Sequence, residues 1–192
     1  MRTQAIQVYQ FNELDEDIKE KVLNTFRAWD NYGWHDSNND TLKAFEKVFP
    51  VTVKDYDYTY HNDINFRVYV DEDIEDLRGV RLMKFIINNF GDSLFKKAYL
   101  RTIKGKARYS KIKIDTCCVL TGYCIDDDIL EPVYNFLKKP DKNQSLGDII
   151  NDCLWSFIHA CNRDYEYSNS DEALTEFIEA NEYEFTIDGE IF

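Results

Sequence analysis

Apolar residues recur every three or four positions along several stretches of the chain, the spacing that places them on one face of a helix. The clearest stretch follows Asn12, a candidate N-cap, and opens with acidic residues that suit the positive end of a helix dipole. Its apolar positions are Leu14, Ile18, Val22, Phe26 and Trp29. The same spacing predicts helices over residues 36–49, 71–91, 126–139, 146–167 and 171–178, about six in all, and a helical segment over 92–103.

Proline and glycine mark where these helices are expected to begin and end. Pro50 stops the helix over residues 36–49, and Gly91 suits the position just after the helix that starts at residue 71. Pro132 lacks a backbone N–H, so we expect it in the first turn of its helix.

Other stretches alternate between apolar and polar residues, which is typical of strands with one buried face. Residues 51–60 and 64–70 alternate on either side of His61 and predict a β-hairpin. Further strands are predicted over residues 4–11 and 107–124. Helices and hairpins mixed in this order indicate an α+β fold, a single compact domain over residues 1–192 with a small, mainly antiparallel sheet.

The end of the chain is rich in acids, with ten acidic residues and one basic residue between Asn162 and Phe192. Ser170 nevertheless suits the N-cap of a helix that ends near Asn181. The "EYEF" run that follows alternates, with Tyr183 and Phe185 on one face and two glutamates on the other, ahead of an Asp-Gly turn. We therefore predict a folded element here instead of a disordered tail.

Composition narrows the classes of function. A net charge of −13 and a pI of about 4.6 oppose direct binding to nucleic acid or to an anionic membrane surface and favour partners with a basic surface. No run approaches the length of a membrane-spanning helix. The five cysteines show no zinc-site spacing, so reduced and mostly buried thiols in a cytoplasm are expected, with Cys117 and Cys118 inside a strand.

No catalytic constellation stands out in the sequence. His159 and Cys161 lie two positions apart on one helix and point away from each other. The acidic triplets over residues 71–73 and 126–128 lack the calcium-loop pattern and suit helix N-termini instead. Isolated glycines provide no phosphate-binding loop. We therefore predict a protein that is not an enzyme, with no catalytic residues, cofactor or metal.

Charge is distributed unevenly along the chain. A basic patch without any acid is predicted from Lys96, Lys97, Arg101, Lys104, Lys106, Arg108, Lys111 and Lys113. It could pack against acidic elements of the same chain, contact nucleic acid, or join copies of the chain head to tail into a homo-oligomer. An acidic binding face is predicted from Asp55, Asp57, Asp63, Glu182 and Glu184. Regularly spaced carboxylates of this kind resemble a row of phosphates to a nucleic-acid-binding protein, and they are also typical of a half-exposed strand.

The chain has "YQFNELDEDIKEKVLNTFRAWDN" near its start and "SDEALTEFIEANEYEFTIDGEIF" at its end, about 45 residues in total. These two stretches resemble a family of uncharacterised phage and prophage accessory proteins, some of them labelled antitoxin-like. The resemblance implies a phage-encoded protein that works in the cytoplasm of a bacterial host. It brings no catalytic or ligand residue with it.

These observations together predict a non-enzymatic binding protein. The expected partner is a host or defence protein, and the chain would act as an inhibitor through an acidic, nucleic-acid-mimicking face. An antitoxin-like partner of a toxin is the first alternative, and an enzyme without a recognisable motif is the second.

Overall fold

The computed structural model describes residues 7–29, 32–99 and 112–192. The chain divides into two compact units. Unit 1 is formed by Met1–Gly33 and Arg163–Phe192, the two ends of the chain, and unit 2 by Trp34–Asn162. The expectation of one domain over the whole chain stays a prediction.

Unit 1 joins the two ends of the chain through a short antiparallel strand pair. Its elements are β1 (Tyr9–Gln10), a 3-10 turn (Phe11–Glu13), α1 (Glu16–Ala28), the last residues of α6 (Leu146–Ser168), α7 (Asp171–Ala180) and β6 (Glu184–Phe185). β1 pairs with β6, so that Tyr9 lies opposite Phe185. One apolar core holds them together: Phe11, Leu14, Val22, Leu23, Phe26, Leu174, Ile178 and Phe185.

The predicted folded ending is confirmed. Ser170 Oγ accepts a hydrogen bond from the backbone N–H of Ala173 and caps α7, and Phe185 is fully buried. Gly189 has a positive φ of 80° in the turn that follows. A Cβ atom at Gly189 would lie 2.9 Å from Ile18 Cγ2, because this turn packs directly on α1. Conformation and space therefore both require glycine here.

Unit 2 contains most of the helices. Its elements are α2 (His35–Val48), β2 (Val51–Asp57), β3 (Asp63–Val68), α3 (Glu72–Glu75), α4 (Gly79–Leu94), β4 (Lys96–Tyr99), β5 (Ile112–Asp115), α5 (Ile125–Lys138) and α6 as far as Asn162. β2 pairs with β3 and β4 with β5, both antiparallel. Fully buried side chains on four helices form its centre, among them Phe45, Leu82, Ile86, Ile129, Leu130, Val133, Leu154 and Phe157.

The α+β fold class is confirmed. The described residues form seven α-helices and three separate two-stranded antiparallel sheets. Within the same described ranges, every helix is too short or too polar to cross a membrane.

Two predicted helices differ from the structure around Gly79 and Gly91. The helix expected over residues 71–91 is divided into α3 and α4, because Gly79 adopts a positive φ of 54° and its N–H bonds to Asp141 O. Gly91 lies buried inside α4 instead of ending it. The helix expected over 92–103 is correct only as far as Leu94, where α4 ends, and wrong over Lys96–Tyr99, which form β4 by pairing with β5. The predicted N-cap of α1 is wrong as well: the N-cap is Asp15, and Asn12 lies in the preceding 3-10 turn.

Pro132 lies inside α5, seven residues after its first residue, and not in the first turn as expected. A residue at that position would normally donate its N–H to the carbonyl of Asp128, and proline cannot. Ser156 Oγ on α6 donates to Asp128 O at 2.7 Å in its place. A side chain from a neighbouring helix therefore satisfies the carbonyl that the proline leaves without its helical partner.

We expect Ser156→Ala to reduce the free energy of unfolding by about 1 kcal/mol, because a half-buried carbonyl loses its partner. The partner variant Pro132→Ala restores an N–H that can reach the same carbonyl. The loss on Ser156→Ala should therefore be smaller in the Pro132→Ala background, a coupling that a double-mutant cycle in urea measures. Equal losses in both backgrounds would contradict this account.

Candidate functional site

The three carboxylates predicted on the hairpin share its outward face. The register pairs Asp55 with Asn65 and Asp57 with Asp63, while the intervening pair of Tyr56 and Ile64 points the other way. Asp57 Oδ1 accepts from the backbone N–H groups of Thr59 and Tyr60, which holds the hairpin turn, and these bonds lower the pKa of Asp57. Asp63 Oδ1 accepts from the N–H of Ile64. Two of the three acids thus have a local structural role.

The other two residues of the predicted acidic face lie in unit 1. Glu182, with a positive φ of 54°, follows the end of α7, and Glu184 is in β6. Both side chains are exposed. The five predicted residues therefore belong to two groups on different units, with three on the hairpin and two near the chain end.

Most of the predicted basic patch lies outside the described residues. Arg101, Lys104, Lys106, Arg108 and Lys111 fall in that segment. Lys97 lies on β4 and Lys113 on β5, two strands that pair with each other. Lys96 donates from Nζ to the backbone carbonyls of Cys117 and Cys118, at 3.2 and 3.0 Å. The structure therefore assigns a contact to one residue of the patch.

Negative charge is concentrated in unit 1. This unit has sixteen acidic and five basic residues, a net −11, whereas unit 2 has twenty acidic and eighteen basic residues, a net −2. Some of the bases are already engaged: Arg27 forms an ion pair with Asp171, and Lys21 donates to Asp188 O. Most of the negative electrostatic field of the chain therefore originates in unit 1.

Unit 1 also has aromatic side chains at its surface, which together we call the aromatic patch: the exposed Trp29 and Phe177 and the half-buried Tyr183. All three surround the buried ring of Phe26, with centroid distances of 4.7, 6.1 and 5.1 Å. Trp29 is 47% exposed and Phe177 is 40% exposed. An open groove of about 610 Å³ reaches Trp29 along α1 and is also lined by the acids Asp17 and Glu20.

A row of acids lies on α7 beside this patch. Glu172, Glu176 and Glu179 are exposed and follow one another at spacings of four and three residues, so they share one side of the helix. Phe177 is on the same helix, next to Glu176. Unit 1 thus presents apolar rings bordered by carboxylates.

No family model, curated protein or solved structure matches this chain. The resemblance of its two ends to phage and prophage proteins therefore stays a prediction.

The cysteine pair Cys117 and Cys118 is not in a strand, and the expectation of mostly buried thiols is wrong. β5 ends at Asp115, and the pair lies in the turn that follows, where Cys118 has a positive φ of 47°. Cys117 and Cys124 are exposed and Cys118 is half-buried, and only Cys153 and Cys161 are buried. All five thiols are free of disulfide bonds. The two adjacent sulfur atoms lie 3.5 Å apart.

Asp126, a fully buried carboxylate at the start of α5, fixes the turn that carries these cysteines. Its Oδ2 accepts from the backbone N–H groups of Leu120, Thr121 and Gly122, at 2.9, 2.7 and 3.0 Å. Its Oδ1 accepts from the hydroxyls of Thr121 and Thr41, at 2.7 and 2.9 Å. Five donors satisfy one buried charge, as burial of a carboxylate requires.

The next residue, Asp127, brings a second carboxylate to the cysteine pair. Its Oδ1 accepts from the N–H of Cys118 at 2.7 Å, which leaves Oδ2 at 4.0 Å from Cys118 Sγ. One ligand atom from each of Cys117, Cys118 and Asp127 lies within 4.8 Å of the other two. We call this group the thiol–carboxylate cluster.

The surroundings raise the pKa of the Cys118 thiol. The hydrogen bond with Cys117, burial and the negative charge of Asp127 together raise the pKa of Cys118 to about 12. Catalytic cysteines have the opposite shift, because the thiolate is the attacking form. A metal ligand needs the same deprotonated sulfur, so an ion that binds here would have to displace the thiol proton.

A small cavity of about 300 Å³ borders the same turn. Lys47, Asp92, Ser93, Lys96 and Leu120 are among the residues that line it. Its volume is at the lower end of the range for small-molecule sites. Lys96 contributes to this cavity and also holds the carbonyls of the cysteine pair.

His35, the first residue of α2, has a structural role. Its Nδ1 is hydrogen-bonded to the hydroxyl of Tyr58, a residue that is only 3% exposed, and the two rings stack. Asn162 on α6 donates to the carbonyl of the same tyrosine at 2.8 Å. These contacts fasten the hairpin to the helices of unit 2.

Proposed function

We propose that this chain is a binding protein that engages a partner with a basic surface through unit 1. The observation that carries the proposal is the coincidence of charge and exposed rings: unit 1 holds a net −11 and exposes Trp29 and Phe177. Aromatic residues are enriched at the centres of interfaces, and charges at the rim steer the encounter.

The aromatic patch suits the centre of such an interface. Trp29 and Phe177 are half exposed, yet both rest on the ring of Phe26, so they are held in place before a partner arrives. Rigid rings lose little conformational entropy when they become buried. We therefore assign the contact energy mainly to the aromatic patch.

The acids of α7 suit the rim. Glu172, Glu176 and Glu179 are exposed, so their charge acts on the approach of a cationic surface more than on the final affinity. Glu182 and Glu184 of the predicted acidic face belong to unit 1, whereas the three acids of the hairpin belong to unit 2.

The resemblance of the chain ends to phage and prophage proteins makes a bacterial host or defence protein the first class of partner to test. Inhibition of that partner by imitation of nucleic acid is the form of activity we propose. Proteins that normally hold nucleic acid have the basic surface that this unit complements.

A charge-reversal comparison tests the proposal. A partner captured from bacterial lysate is purified, and its binding is measured by surface plasmon resonance. We expect the pair Glu176→Lys and Glu179→Lys to slow association at least tenfold at low salt, with a smaller effect at high salt. Trp29→Ala should mainly accelerate dissociation.

The matched control reverses two charges on the hairpin, Asp55→Lys and Asp63→Lys. It should leave binding within about twofold, because the hairpin lies outside unit 1. If the hairpin pair weakens binding more than the α7 pair, the proposed surface is wrong. Circular dichroism of each variant checks that the fold is retained.

A further inference from the structure

The geometry points to a binding site for a thiophilic divalent metal ion such as Zn²⁺, formed by Cys117, Cys118 and Asp127. This proposal is independent of the partner surface on unit 1. It rests on the thiol–carboxylate cluster, in which two sulfur atoms and a carboxylate oxygen lie within 4.8 Å of one another.

The distances are close to those that a tetrahedral ion needs. Two thiolates bound to Zn²⁺ at about 2.3 Å each lie roughly 3.8 Å apart at the tetrahedral angle. The sulfur atoms of Cys117 and Cys118 are 3.5 Å apart. A thiolate and a carboxylate oxygen on the same ion lie roughly 3.5 Å apart, and Asp127 Oδ2 is 4.0 Å from Cys118 Sγ. The third separation, between Cys117 Sγ and a carboxylate oxygen of Asp127, is within 4.8 Å.

The surroundings orient the ligands. The N–H of Cys118 holds Asp127 Oδ1, which turns the other carboxylate oxygen toward the sulfur. Outer contacts of this kind fix a ligand before the metal binds. The five hydrogen bonds of Asp126 fix the turn, and Lys96 fixes the cysteine carbonyls. The site is therefore organised by the fold rather than by the ion.

The ligand types select the class of metal. Two thiolates exclude Mg²⁺ and Ca²⁺, which take oxygen ligands, while the carboxylate favours Zn²⁺ over a soft monovalent ion. Three protein ligands leave a fourth position for water or for a group from outside the chain. Three ligands and an open position are typical of zinc sites that bind a further molecule.

Spectroscopic titration with Co²⁺ tests the site. The reduced full-length chain, freed of metal by a chelator, is titrated with Co²⁺ and then with Zn²⁺. We expect one Co²⁺ per chain, with the near-ultraviolet sulfur-to-cobalt charge-transfer bands and strong visible bands of a tetrahedral thiolate site. Stoichiometric Zn²⁺ should abolish them, whereas Mg²⁺ should not.

Variants locate the ion. Cys117→Ser and Cys118→Ser should each lower affinity by about a hundredfold or more and remove most of the charge-transfer intensity, and Asp127→Asn should lower affinity about tenfold. Glu131→Gln, the loss of an exposed carboxylate on the same helix, is the matched control and should bind as the native chain does.

A stability readout complements the titration. Zn²⁺ should raise the melting temperature of the native chain and leave that of the double cysteine variant unchanged, because only a bound ion stabilises the folded state. The absence of charge-transfer bands in the native chain would overturn the proposal. So would equal Co²⁺ affinity in the native chain and in the folded double variant.

Discussion

Replacing Phe185 by alanine should reduce the free energy of unfolding of unit 1 by about 3–5 kcal/mol, the usual cost of removing a buried aromatic ring. The ring is 0% exposed and lies edge-on to Phe11 and Phe26, with centroids 6.3 and 6.5 Å away. Truncation removes these contacts and leaves a cavity between the first and last elements of the chain. A loss of this size is a large fraction of the total stability of a domain.

Chemical denaturation followed by tryptophan fluorescence measures this loss, because the ring of Trp29 packs on Phe26, a member of the same core, with centroids 4.7 Å apart. Phe192→Ala is the matched control, since it removes the same ring from the same chain end at a position that is 68% exposed. Its effect should stay within about 0.5 kcal/mol. Equal effects of the two substitutions would show that the chain end is not part of the core.

Asp126→Asn should destabilise unit 2 by about 3–5 kcal/mol, because it changes the one group that satisfies five donors. An asparagine side chain has a single acceptor oxygen, and its NH₂ group cannot accept from N–H donors. Either the three backbone donors at Leu120, Thr121 and Gly122 or the two hydroxyl donors then lose their partner. The turn over residues 117–122 should open as a consequence.

Thermal unfolding and amide hydrogen exchange measure this effect. The N–H groups of Leu120, Thr121 and Gly122 should exchange faster in the variant than in the native chain. Glu131→Gln removes an equal charge from an exposed position of the same helix and should change stability by less than about 0.5 kcal/mol. A native-like melt and unchanged exchange for Asp126→Asn would contradict the assigned role.

The strongly periodic helices could be predicted from the sequence. α1, α6 and α7 have long apolar faces, and Ser170 caps its helix as expected. The hairpin followed from alternation, and its register places Asp55, Asp57 and Asp63 on one face. Local patterns were sufficient in these places because the burial of one face decides the structure.

Features that depend on distant residues could not be predicted. The Cys-Cys-Val-Leu run has the apolar character of a buried strand, but the positive φ angles of Cys118 and Gly122 turn the chain there. In the sequence, Asp126 cannot be distinguished from other acids at helix N-termini, because its donor Thr41 lies 85 positions away in the chain. Pro132 is accommodated inside α5 because Ser156, on another helix, donates to the carbonyl of Asp128. None of these contacts can be recognised from the residues that are neighbours in the sequence.

The pairing of β1 with β6 has a consequence for synthesis. Unit 2 is continuous in sequence, whereas unit 1 needs residues from both ends of the chain. The apolar face of α1, with Val22 and Phe26, therefore leaves the ribosome long before Leu174, Ile178 and Phe185 exist to cover it. Such surface is prone to aggregation until it is buried. A chain that stops before Leu174 would keep that face uncovered, so only copies that extend through Phe185 can bury it.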